Sequence, residues 1–98
     1  MIEIVKISNT QFPNRTETIY SSIFGRTSSY YAGEPNITFI EKNTIEHPDW
    51  IEENNITSFP TTLFYKDGEL IAEKKGIIAS QHIIAEIEPY IPKFAIKK

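Results

Sequence analysis

Residues 54–76, NNITSFPTTLFYKDGELIAEKKG, constrain the fold more than any other stretch. Two strand-like runs, TTLFYK and ELIAEKK, meet across Asp67-Gly68, a dipeptide that tolerates the positive φ angles of a tight two-residue hairpin. Pro60 stands directly ahead of the first run. A proline cannot donate to a sheet ladder, so it belongs at a strand's first position and not in its middle. An antiparallel hairpin beginning beside Pro60 is the firmest local expectation.

The remaining elements follow from periodicity. IEIVKIS is a near-continuous apolar run, with Ile2, Ile4 and Lys6 on one face and Val5 and Ile7 on the other, which suits a strand covered on both sides. After the loop NTQFP, Pro13 is placed to be the first residue of a helix, where its missing N–H does no harm. Ile19, Tyr20, Ile23 and Phe24 recur at helical spacing, and Gly25 supplies a stop. RTSSYYAGEPN then lacks periodicity and reads as a loop of about a dozen residues, with Tyr30 and Tyr31 at the core's edge. ITFIEKN is a second strand. Pro48 opens a short helix, PDWIEENN, with Asp49 in the first turn where the helix dipole favours an acid. Trp50 and Ile51 form its buried side, and Asn54 or Asn55 ends it. The last helix, SQHIIAEIE, is expected to be capped by Ser80 and to bury Ile83, Ile84, Ile87 and Ile91, with Pro89 ending or bending it. PKFAIKK reads as a solvated basic end.

The order is strand, helix, strand, helix, strand, strand, helix. Two strands flanking a helix should be parallel, joined by a right-handed crossover. The fold class is therefore α/β: a four-stranded mixed sheet, last two strands antiparallel, with helices on both faces. A chain of 98 residues favours one domain, 1–98, with a modest core.

Composition removes whole function classes. A net charge of −3 argues against a nucleic-acid phosphate backbone as partner. No apolar run approaches the ~20 residues needed to span a bilayer. MIEIVKIS lacks a signal-peptide core, so a cytoplasmic location is expected. The three Asn-x-Thr triplets at Asn14, Asn36 and Asn55 are then chance matches to a loose motif. His47 and His82 lie too far apart to form a recognisable metal set. Glu46, Asp49, Glu52 and Glu53 read as a solvated helix face, and the four isolated glycines form no phosphate loop. No cofactor is implied.

This order of elements and the local signals together resemble the thioredoxin fold. From Ile37 to Ile77, a little under half the chain, the resemblance needs no gap: a strand, Pro48 opening a helix, ITSFPTTLFYKDGE where the family has a cis-proline, strand and turn, and Gly76 closing the hairpin. The resemblance implies sheet order 2-1-3-4 with three flanking helices. The family's Cys-x-Pro-Cys motif falls here on QFPN. Pro13 matches the motif's proline, while Gln11 and Asn14 occupy the cysteine positions. Thr10 replaces the usual tryptophan, and Val5 and Lys6 stand where that strand carries a buried acid. The chain starts at the central strand, an outline closer to glutaredoxin, and its connection around Tyr30 is longer than thioredoxin's.

The chain contains no cysteine. Disulfide exchange needs an attacking thiolate and a sulfur to attack, and the Gln11 and Asn14 amides offer neither. What the resemblance leaves is a surface. It implies a cis Phe59–Pro60 bond, with Phe59 offering backbone N–H and C=O groups to an extended peptide beside Gln11, Phe12 and Pro13. Gln11 and Asn14 would add amide hydrogen bonds there. Two functional readings follow. One is a redox-inactive protein- or peptide-binding module using Gln11, Phe12, Pro13, Asn14, Phe59 and Pro60. The other is a thiol-disulfide oxidoreductase family member whose cysteines have been replaced. A glutathione-like peptide in the same groove is a further partner to test.

Overall fold

The computed structural model describes residues 1–9 and 15–90. Strand β1 (Ile2–Ser8) is followed by helix α1 (Arg15–Tyr30), strand β2 (Ile37–Asn43), helix α2 (Pro48–Glu53), strands β3 (Thr61–Lys66) and β4 (Glu69–Lys75), and helix α3 (Ser80–Ile87). A short 3₁₀ turn, Glu88–Tyr90, takes up the chain where Pro89 prevents further α-helix.

The sheet order is β2-β1-β3-β4. β1 pairs with β2 in parallel and with β3 antiparallel, and β3 pairs antiparallel with β4. Asp67 (φ 53°) and Gly68 (φ 86°) both take the left-handed conformation that a tight hairpin of this twist demands. β1 is buried along nearly its whole length because both of its faces are covered.

Side-chain alternation divides the core in two. Ile2 and Ile4 of β1, Ile37 of β2 and Phe64 of β3 pack under α1 and α3 with Tyr20, Phe24, Tyr31, Ile83 and Ile87. Val5, Ile7 and Leu63 point the other way and meet Ile51 of α2 and Ile56.

Three sequence expectations need correction. Gly25 does not stop α1, which continues to Tyr30. The reason is that Tyr20, Phe24, Thr27 and Tyr31 extend one buried stripe past it, worth more than the ~1 kcal/mol a helical glycine costs. The long loop is accordingly short, and of its two tyrosines Tyr31 is buried while Tyr30 is 69% exposed. Ser80 does not cap α3 with its side chain; Ala79 holds the cap position, and the Ser80 hydroxyl instead meets that of Thr27 on α1. Ile19, placed on the buried stripe, is largely exposed. Pro13 as helix start, Ile91 and the basic end lie outside the described residues.

Candidate functional site

Pro60 is held from two directions. Its side chain is fully buried, and its carbonyl accepts a hydrogen bond from Gly76 N–H at 2.7 Å. The Thr61 hydroxyl donates to the Ser58 carbonyl at 2.6 Å, closing the turn that delivers the chain into β3. The Phe59–Pro60 bond is cis. Phe59 itself is half-buried against the α2-side core. Among the described residues its backbone N–H and C=O have no hydrogen-bond partner.

The ladder places this segment against the end of β1. Ile7 pairs with Thr61, so the next step in the same antiparallel register sets Ser8 against Pro60. Asn9 N–H donates to Glu17 Oε1 of α1 at 2.9 Å, and Asn9 Oδ1 accepts from the Thr44 hydroxyl at 3.1 Å. The chain is thus fastened at both borders of the QFPN segment. Gln11, Phe12, Pro13 and Asn14 lie outside the described residues, so of the six sequence-derived site residues the structure places Phe59 and Pro60.

A buried polar cluster behind this end was not foreseen. Lys6, only 2% exposed, donates from Nζ to Ser21 Oγ at 3.1 Å and lies 3.7 Å from Glu41 Oε1. Its ammonium also stands 5.9 Å from the centre of the Phe24 ring. Glu17 is buried in the first turn of α1, and the Tyr20 hydroxyl pairs with Thr62 Oγ1 at 2.6 Å. Burial pushes the Tyr20 phenol above its ordinary pKa, and the Thr62 hydrogen bond only partly opposes this. The available signal was Lys6 in a largely apolar strand. Spacing on α1 also put Glu17, Tyr20, Ser21 and Phe24 on one side, although an acid in a first turn ordinarily reads as solvated.

Among the described residues no group of His, Asp and Glu is arranged to hold a metal ion, and no helix is long and apolar enough to cross a membrane.

No protein-family model matches the chain, and no curated protein does. Solved structures match closely. Thioredoxin-2, a component of the malaria parasite's protein secretion machinery, superposes with a TM-score of 0.80 at 17% identity, over 91% of this chain and 82% of that one. A structure described only as a malarial protein gives 0.80 at 16% identity, over 94% and 99%. The oxidised thioredoxin of Plasmodium falciparum gives 0.73 at 23% identity, over 93% and 82%. The chain has the thioredoxin fold, and it has it without a cysteine.

Proposed function

We propose that this cysteine-free thioredoxin-fold chain is a redox-inactive module that binds an extended segment of a partner protein at the face around Phe59-Pro60. The observation that carries the reading is the state of Phe59. Its backbone donor and acceptor are unengaged among the described residues, although the residues around it are fastened by Thr61, Gly76 and Pro60. A rigidly held backbone with free hydrogen-bonding groups is what a peptide strand pairs with. The half-buried Phe59 ring supplies apolar contact beside it. Gln11, Phe12, Pro13 and Asn14 would line the other side, with the Gln11 and Asn14 amides bonding where thiols act in the redox members of the fold. That thioredoxin-2 is a component of a secretion machinery gives a precedent for this fold as a subunit of a larger assembly.

Two measurements test the two halves of this reading. An insulin-reduction assay should show no activity for the unmodified chain above the reductant alone; activity there would refute the redox-inactive half. Peptides selected from a random library on the immobilised chain should shift the amide resonances of Phe59, Thr61 and residues 11, 12 and 14. Selected peptides that leave those signals unmoved would end the groove assignment, and glutathione titrated in the same way decides whether so short a peptide suffices.

A further inference from the structure

A sheet of order β2-β1-β3-β4 has two edges, and they are guarded differently. β4 carries four charged side chains in seven residues, and it bulges at Ile71, since Phe64 faces Ala72 while Tyr65 faces Leu70. Charges and bulges are the usual devices that keep an edge from pairing with another chain. β2 is guarded less. Two of its seven residues are charged, its register with β1 is unbroken from Ile37 to Asn43, and Phe39 and Ile40 stand half-buried at its centre.

The ends of β2 fix which of its backbone groups face outward. Ile2 N–H donates to the Asn36 carbonyl at 2.7 Å, and Thr44 N–H donates to the Ser8 carbonyl at 3.2 Å. In a parallel ladder alternate residues turn both backbone groups to the same neighbour, so residues 36, 38, 40, 42 and 44 face β1. Ile37, Phe39, Glu41 and Asn43 therefore face away from the sheet. The first and last of these are partly used: Ile37 N–H donates to the Glu34 carbonyl at 3.3 Å, and the Asn43 carbonyl accepts from His47 N–H at 3.0 Å. Among the described residues Phe39 and Glu41 keep both groups open.

Two open residues separated by one closed residue complement themselves. In an antiparallel pair, residues that exchange both hydrogen bonds stand directly opposite each other. About a two-fold axis at Ile40, Phe39 exchanges both bonds with Glu41 of the second copy, Glu41 does so with its Phe39, and Ile40 faces Ile40. Centring the axis on Phe39 or on Glu41 would instead call on the occupied N–H of Ile37 or the occupied carbonyl of Asn43. At the Ile40 centre no like charges stand directly opposite. Lys42 faces Thr38, and where the two Glu41 carboxylates meet on the diagonal, Lys6 Nζ lies 3.7 Å from each as a counter-charge. Four hydrogen bonds are few, which decides between occupants: a disordered segment would lose its backbone freedom on pairing, whereas a folded copy arrives with its strand already ordered. We propose that the β2 edge pairs with the β2 edge of a second copy of this chain, antiparallel about Ile40, joining two four-stranded sheets into one of eight strands. The association is weak and concentration-dependent. It uses no residue of the Phe59-Pro60 site and does not rest on the peptide-groove reading.

The test follows the full ¹⁵N-labelled chain from about 20 µM to about 1 mM. Salt at about 0.15 M screens the −3 charge of each copy beyond about 8 Å. The rotational correlation time should rise about twofold, with concentration-dependent resonance shifts centred on residues 38–42. The Phe39 and Glu41 amides should exchange with solvent freely when dilute and about tenfold more slowly when concentrated. Thr38→Glu sets an acid opposite Lys42 of the second copy, twice in each dimer, and should tighten association about fivefold; Thr38→Lys should weaken it as much. A chain that tumbles as a monomer throughout, shifts gathered on β4 instead, or Thr38 variants that move the dimer in the same direction would each overturn the proposal. So would a library-selected peptide that protects the Phe39 and Glu41 amides of a monomeric chain, which would give the edge to another protein's strand.

Discussion

On the α1/α3 side the core runs unbroken from Ile2 and Ile37 through Phe24 and Phe64 to Ile87, and its polar members turn inward to one another, Tyr20 to Thr62 and Thr27 to Ser80. On the α2 side a smaller cluster of Val5, Ile7, Ile51, Ile56 and Leu63 is buried, while Ile40, Trp50, Phe59 and Tyr65 stay half-covered around it. The same strands build both sides, so strand propensity does not explain the contrast; helix length does. Sixteen residues of α1 cover what six residues of α2 cannot. The difference assigns stability chiefly to the first side and leaves the second with half-covered apolar side chains.

Substitutions sharpen or break that contrast. The largest effect is expected from Phe24→Ala, whose ring meets Tyr20, Phe39 and the Lys6 ammonium. A loss of about 3–5 kcal/mol in urea unfolding is expected. A loss below about 1 kcal/mol would erase the distinction between the faces. Ile51→Ala removes the principal anchor of α2 and should cost about 2 kcal/mol, the lower end for such a truncation, because its half-open surroundings can close over the gap. An Ile51→Ala loss equal to that of Phe24→Ala would show the α2 face to be as structural as the other. Smaller again is Tyr20→Phe, which leaves the buried Thr62 hydroxyl without its partner and should cost about 1 kcal/mol by the same measurement.

The smallest effect is read by absorbance rather than unfolding, and it compares one tyrosine from each face. Burial, with Tyr30, Glu88 and Glu34 nearby, pushes the Tyr31 phenol from 10.0 to about 12. Tyr65 is raised by burial and by Glu3 and Glu73. A raised folded-state pKa means that the folded chain holds the proton longer. The stability contribution of Tyr31 is therefore complete below pH 10 and lost as pH rises toward 12. Glu3→Gln/Glu73→Gln should lower the Tyr65 titration and leave that of Tyr31 in place. If both move together, the two faces are not electrostatically separate.

Legibility followed the range of the forces involved. The hairpin and the helix opened by Pro48 rest on local chemistry, such as the positive φ angles at Asp67 and Gly68, and could be read from residues alone, whereas the strand order came from the resemblance to the thioredoxin fold. The continuation of α1 through Gly25 could not. It depends on Thr27 and Tyr31 meeting β2 and α3, contacts to residues far along the chain. Ser80 failed as a cap for the same reason, since a hydroxyl that suits a cap was taken by Thr27. In the candidate site, Pro60 was marked by its place ahead of the hairpin. The burial of Lys6 and Glu17 behind it needed α1, β1 and β2 assembled together. The unequal covering of the sheet was likewise invisible, because it depends on α1 continuing past Gly25 and on which side each helix takes, neither of which residues alone disclose.

The central claim is that a thioredoxin fold without cysteine keeps Phe59-Pro60 as a docking edge. It is tested most directly by the affinity of a library-selected extended peptide for the parent chain and for Phe59→Ala, measured together with Tm. The account predicts that Kd rises about tenfold, some 1.4 kcal/mol, while Tm falls by only a few degrees. An unchanged Kd in the Phe59→Ala chain would contradict it.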